Sequence, residues 1–251
     1  MSRALAFRPQ PEARVPRTAM VMAAGLGKRM RPLTATRPKP LVEVAGKPLI
    51  DHVFDRLRAA GVERAVVNVH YLADALEAHL ARNASGMEIV ISDERDRLME
   101  TGGGLAKARG LLGDEPILVV NSDNLWVDGP VDAIRLLADR WDGAAMDALL
   151  LVAPFARAYN HPGQGDFHIA ADGRITGRRK PGRAAPFVYT GVQILDPRVI
   201  ADHPEGPFST NLFWSRSLEQ ERLYGLVHQG MWFDVGTPQA IPATEAMLAG
   251  G

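Results

Sequence analysis

Lys28, Arg29, Arg31, Arg37 and Lys39 crowd one glycine-bearing stretch, AAGLGKRMRPLTATRPKPL (residues 23–41), and no acid follows the turn until Glu43. Glycines such as Gly25 and Gly27 let backbone N–H groups approach a ligand closely, and cations at this density need an anion beside them. The segment therefore reads as an anion-binding loop. It is not a dinucleotide fingerprint, because Met30 stands where the third glycine belongs. Nor is it a Walker loop, since Met22 occupies the first glycine position and Arg29, not Ser or Thr, follows Lys28. A second candidate is Asp123, which closes the apolar run PILVVNSD at the carboxyl edge where open α/β sheets bind ligands. An aspartate there serves equally well as a helix N-cap or Asx-turn residue.

The elements that must position these groups alternate short apolar runs with amphipathic stretches, the pattern of an α/β fold. AMVMAA (19–24) reads as a buried first strand, and Leu49, Ile50, Val53, Phe54 and Leu57 mark one face of a helix over 49–60 that Gly61 stops. Strands at 65–69, 87–91 and 116–120 alternate with helices at 72–82 and 103–112, which is doubly wound. Beyond Leu150 the Asp172-Gly173 turn in GDFHIAADGRIT signals a hairpin, and PFVYTGVQIL reads as another buried strand. This half is expected to be antiparallel and to cover the open edge of the first. The fold expected is Rossmann-like and three-layered, with a mixed, mostly parallel central sheet and an antiparallel portion.

AAGLGKRMRPLT followed by RPKPLVEVAGKPLI resembles the signature of the sugar-1-phosphate nucleotidylyltransferases. The resemblance continues through METGGGLAKA (99–108), VVNSDNLW (119–126), YTGVQIL (189–195) and WFDVGTP (232–238), so it spans nearly everything after Thr18. Such enzymes join a nucleoside triphosphate to a sugar 1-phosphate and release pyrophosphate. The resemblance implies Arg29 and Lys39 as catalytic cations, with Ala23, Ala24, Gly25, Leu26, Gly27 and Lys28 around the nucleotide and Thr101 and Gly102 near its base. Asp123 and Asp234 would hold Mg²⁺, a hard cation that prefers oxygen ligands and shares its shell with substrate phosphates. Asp166, Thr190 and Gly191 would line the hexose pocket.

Each role has a plainer reading beside it. Lys28 and Arg31 would serve as surface charges, Thr101 as a helix cap, Asp166 as hairpin decoration and Asp234 as a turn residue before Gly236. Two departures from the family pattern stand out. Glu100 replaces a glycine of several relatives, and Arg179-Lys180-Pro181 replaces Glu-Lys-Pro, so that Arg178 or Arg179 either favours an acidic sugar or faces solvent. His70 is read as structural, and Trp126, Trp214 and Trp232 as core or pocket walls.

Composition excludes much else. The 251 residues contain no cysteine, which removes disulfides, thiolate nucleophiles and Cys-ligated metals. Twenty-nine basic against 29 acidic side chains leave no global field for nucleic acid or an anionic membrane. No run approaches the ~20 apolar residues that cross a bilayer, and no secretory signal begins the chain, so a cytoplasmic monomer or small homo-oligomer is expected. Residues 1–17 read as a flexible extension and 18–251 as a single nucleotidyltransferase domain. Lacking a hexapeptide-repeat tail and carrying the ETGGG, GDF and WFDVGTP segments, the chain is most similar to short members of that family, a resemblance that implies UTP and N-acetylmuramate 1-phosphate as substrates. A mannose-1-phosphate guanylyltransferase-like enzyme is the alternative. From other classes, a non-catalytic nucleotide-binding subunit would need neither transition-state cation nor metal acids, and an NAD-dependent oxidoreductase is disfavoured by the broken fingerprint.

Overall fold

The computed structural model describes residues 14–83 and 86–250. In chain order the elements are β1 (Thr18–Met22), β2 (Glu43–Val44), β3 (Lys47–Pro48), α1 (Leu49–Ala60), β4 (Arg64–Val69), α2 (Ala73–Asn83) and β5 (Glu88–Asp93). They continue with α3 (Glu100–Leu112), β6 (Ile117–Asn121), β7 (Asn124–Val127), α4 (Ala133–Arg140), β8 (Ala148–Pro154), β9 (Ala158–Tyr159), β10 (Phe167–Ile169) and β11 (Ile175–Arg178). The last are β12 (Phe187–Leu195), α5 (Asn211–Glu219), β13 (Leu223–Val227), β14 (Met231–Asp234) and α6 (Ala240–Ala249).

The main sheet runs in the order β11-β10-β12-β6-β1-β4-β5, with β8 beside β12 and β13 beside β8. The half containing β6, β1, β4 and β5 is parallel, as expected for strands joined by crossover helices. At β6 the direction reverses: β12 pairs antiparallel, Val192 against Val120, and the later half grows outward from that edge. The α/β expectation thus holds, with one refinement: β13 lies parallel to β8.

Strand alternation explains the two cores. Ala19, Val21 and Val67 face α1, α2 and α4, while Met20, Val66 and Val119 face α3 and α5, so each face of the sheet is sealed by its own helix layer. A smaller cluster, including Met30, Leu49, Phe233 and Val235, ties the opening loop to β14 and α6.

Of the expected extension, residues 1–13 lie outside the described residues. Its last residues are packed rather than loose: Val15 lies against the core, Pro16 is buried, and the Arg17 carbonyl accepts from the Glu63 and Arg64 N–H groups. Among the described residues no helix is long and apolar enough to cross a membrane.

Candidate functional site

A cleft opens at the carboxyl ends of β1, β4 and β6, walled by Met22 to Gly25, Lys39, Asn68, Glu100, Thr101 and Asn121 to Asp123. Its floor is the strand-to-loop turn that follows β1. Gly27 adopts φ +59° and begins a tight turn over Lys28–Met30, with its carbonyl accepting from Met30 N and from Thr34 Oγ1 at 2.9 and 2.8 Å. A Cβ at Gly27 would stand 3.0 Å from both Lys39 Cβ and Thr34 Cγ2, so glycine lets the basic loop double back over Lys39.

The five cations then separate. Lys39 is buried, with Nζ 2.5 Å from Asp123 Oδ2. Arg29 lies beside Gly236: a Cβ there would be 3.1 Å from both terminal guanidinium nitrogens and 2.7 Å from Asp234 Oδ1. Arg37 pairs with Glu43 at 4.0 Å, away from the cleft walls, and Lys28 and Arg31 are exposed.

The two aspartates come together through the pairing of β7 and β14. Asp234 is the register partner of Asn124, which directly follows Asp123. Opposed Cα atoms in such a ladder are about 5 Å apart and consecutive ones about 3.8 Å, so the backbones of Asp123 and Asp234 lie within about 9 Å of each other, Asp123 paired with Lys39 and Asp234 beside Arg29 at Gly236. Their side chains remain partly accessible, at 32% for Asp123 and 19% for Asp234. His161, from the loop after β9, brings Nδ1 to 3.5 Å from Asp234 Oδ2 and stacks obliquely near Trp232. Nothing in the spacing around Asn160-His161-Pro162 marks it as a neighbour of Asp234.

Several expected site residues have other duties. The N–H groups of Ala23 and Ala24 donate to Asn68 Oδ1 at 2.6 and 3.3 Å, so they cannot greet a phosphate, and β1 ends at Met22 for the same reason. Gly25 is exposed and has open space where a Cβ would sit, while Leu26 is half-buried. Thr101 stands on the cleft wall; its Oγ1 accepts from Thr210 N at 2.9 Å, which leaves the hydroxyl proton to donate. Gly102 lies behind that wall: its N–H donates to the Phe208 carbonyl at 2.8 Å, and a Cβ would strike the Phe208 ring at 2.5 Å. Glu100 takes φ +60°, the left-handed conformation that glycine adopts without strain.

On the expected sugar side, Thr190 is fully buried, its Oγ1 donating to the Leu151 carbonyl at 2.8 Å and its own carbonyl accepting from Asn124 Nδ2 and Trp232 Nε1. Its hydroxyl is unavailable to a hexose. Gly191 is also buried, at φ +80° in the stretch of β12 where the register with β8 shifts, and a Cβ would fall 1.7 Å from Asn124 Nδ2. These two residues shape the strand rather than line a pocket. Gly191→Ala is expected to cost about 2–4 kcal/mol through backbone strain and overpacking, read as a fall in Tm. A variant melting with the parent would mean that Asn124 moves aside without penalty.

Asp166 is half-buried, with Oδ2 accepting from Tyr189 N at 2.9 Å and its carbonyl accepting from Arg179 N at 2.7 Å. Arg178 donates twice to Asn211, to Oδ1 and to the carbonyl, each at 2.9 Å. Burial pulls its pKa down and the nearby Asp166 carboxylate pushes it back up. Arg179 is exposed, and its side chain has no hydrogen-bond or ion-pair partner among the described residues. Register places it at the cleft end of the sheet: β12 runs past the end of β6, and Phe187, Phe167 and Arg178 are successive partners there. His70 is structural as expected, its Nδ1 donating to the Glu94 carbonyl at 2.7 Å.

Comparison with known proteins places the chain in a family. Residues 18–249 match the family model described as nucleotidyl transferase. The chain is 50% identical over 240 residues to an N-acetylmuramate alpha-1-phosphate uridylyltransferase of Caulobacter vibrioides, covering 94% of this chain and 99% of the relative. It is 35% identical over 231 residues to a protein of the same description from Neisseria meningitidis, covering 91% and 97%. Among solved structures, the inositol-1-phosphate CTP transferase from T. maritima superposes with a TM-score of 0.75 at 18% identity, covering 94% of this chain and 96% of that one, which shows a shared fold.

Proposed function

The chain belongs to the nucleotidyl transferase family and is a sugar-phosphate nucleotidyltransferase; from that premise we propose that it transfers uridylyl from UTP to N-acetylmuramate 1-phosphate. The substrates are those named for the relatives at 50% and 35% identity. The observation that supports the chemistry is the Lys39–Asp123 pair on the cleft wall, with Asp234 and the neighbouring Arg29 on the strand that pairs with the residue after Asp123.

In the proposed reaction an oxygen of the sugar phosphate forms a bond to the α-phosphorus of UTP. The bond from that phosphorus to the bridging oxygen of the β-phosphate breaks, and pyrophosphate leaves with the electron pair. A phosphate monoester with second pKa near ~6 is mostly dianionic at neutral pH, so the attacking oxygen needs no base. The task is to bring two polyanions together and to stabilise charge as it develops. Lys39, seated against Asp123, turns its ammonium to the phosphates near the reacting centre. Arg29 stabilises the departing pyrophosphate.

Asp123 and Asp234 offer oxygen donors only, and among the described residues no group of three or more His, Cys, Asp or Glu is placed to cage a metal. That donor set suits Mg²⁺, which keeps waters and shares its shell with substrate phosphates. When bound there, the ion supplies neutralisation of phosphate charge.

N-acetylmuramate differs from neutral amino sugars by a lactyl carboxylate, and a carboxylate leaving water needs a cation. Arg179 supplies it better than Arg178, whose guanidinium already holds Asn211. Arg179→Ala is expected to raise KM about 10-fold for N-acetylmuramate 1-phosphate, the loss of one charge-assisted hydrogen bond, and to leave KM for N-acetylglucosamine 1-phosphate nearly unchanged. Equal changes on both sugars would remove Arg179 from the account. The substrate assignment itself is tested by pyrophosphate release from four nucleoside triphosphates against a panel of sugar 1-phosphates. UTP with N-acetylmuramate 1-phosphate is expected to give the highest kcat/KM, and a higher value for GTP with mannose 1-phosphate would overturn the assignment.

A further inference from the structure

Behind the cleft lies a buried carboxylate that the reaction does not use. Glu94 is fully buried, directly after β5, and takes part in no ion pair among the described residues. Its Oε1 accepts from Asn68 Nδ2 at 2.8 Å and its Oε2 accepts from Met99 N at 3.0 Å. Asn68, itself buried at the end of β4, accepts the Ala23 and Ala24 N–H groups on its Oδ1. A continuous run of hydrogen bonds therefore joins the loop after β1 to the entrance of α3, the two walls of the cleft.

The polarity of this run is dictated from both ends. Two backbone donors fix Oδ1 of Asn68 towards the loop, so its amide nitrogen must face Glu94, and the Met99 N–H closes the other end. Glu94 thus has to accept on both oxygens. A glutamine of the same shape has one acceptor and one NH₂, which would meet a donor on one side or the other. Burying a carboxylate costs several kcal/mol unless its hydrogen bonds are met, and a residue whose only duty was packing would carry no such charge. Gly104 leaves room for this pair, since a Cβ there would lie 2.9 Å from Glu94 Oε1 and 3.0 Å from Asn68 Nδ2.

We infer that Glu94 and Asn68 are positioning residues for the nucleotide, setting the spacing between the loop and the α3 wall before the triphosphate arrives. The inference rests on the reading of this cleft as the nucleotide site. Its consequence is a polarity rule: Glu94→Gln breaks the run although size is kept, and adding Asn68→Asp repairs it. In the double variant the carboxylate introduced by Asn68→Asp would accept from the Ala23 and Ala24 N–H groups and from the new amide, whose oxygen would accept from Met99 N.

Steady-state kinetics on the wild type, both single variants and the double variant, varying each substrate in turn, decides the matter. Turnover by the wild type establishes the nucleotide reading independently, and its absence would sink that reading rather than this one. Glu94→Gln is expected to raise KM for the triphosphate about 10-fold or more with KM for the sugar phosphate within about 2-fold, and the double variant to recover most of that loss. A triphosphate KM unchanged in Glu94→Gln, or both KM values rising together, would overturn it. Where the single variant fails to fold, a folded double variant with near wild-type triphosphate KM supports the inference; a double variant that is unfolded or equally impaired overturns it.

Discussion

Lys39→Ala is expected to lower kcat by about 10²–10³, the usual loss when one preorganised charge facing a developing anion is removed. The size of the effect follows from placement. Lys39 is buried beneath the Gly27 turn, where water is displaced and its charge acts in a lower dielectric than at the surface. Arginine should not restore activity, because its planar fork cannot place a compact ammonium where Nζ meets Asp123 Oδ2. The stability loss should be modest: Asp123 remains about one-third exposed and can rehydrate, and the lost packing of the buried Lys39 stem is expected to cost about 1–2 kcal/mol, a Tm shift of about 2–8 °C. Pyrophosphate release beside a melting curve separates the two quantities. Activity within a few-fold of wild type would show that the ammonium serves only to hold Asp123.

Asp123→Asn is the second large effect. The amide keeps the shape of the carboxylate and loses the charge that would hold Mg²⁺, so turnover is expected to fall about 100-fold or more and metal affinity by at least about 10-fold. The metal can be followed apart from turnover with Mn²⁺ as a paramagnetic probe, in the presence of a non-hydrolysable triphosphate analogue. Asp234→Asn should behave alike, since the register of β7 and β14 puts Asp234 opposite the residue that follows Asp123. Unchanged Mn²⁺ binding in both variants would refute their assignment.

The first half of the fold is legible in the sequence because β1, β4 and β6 are buried on both faces and the crossover helices α1 and α2 carry an apolar stripe. The run PILVVN becomes β6, and Leu49 to Leu57 become the buried face of α1. Lys39 and Asp123 are legible as well, since a cation-rich turn and an acid at a strand end each signal chemistry through residue type alone. What the sequence hides depends on distant partners. Gly102 looks like a cradle for a ligand, yet it is small because Phe208 presses against it. Thr190 and Gly191 look like a pocket wall, yet a bulge in β12 turns them towards Asn124 and Trp232. Asn68 and Glu94 fall within ordinary strand text, and only their juxtaposition exposes a hydrogen-bond polarity. His161 reaches Asp234 across a loop with no periodicity.

Formation of UDP-N-acetylmuramate and pyrophosphate from UTP and N-acetylmuramate 1-phosphate, followed while Mg²⁺ is removed with EDTA and then restored, addresses the proposed joint action of two cations and two carboxylates most directly. The account predicts one pyrophosphate for each nucleotide sugar, turnover that stops when the metal is withdrawn, and full recovery on its return. Undiminished turnover in EDTA, or in a chain lacking both the Asp123 and Asp234 carboxylates, would contradict it.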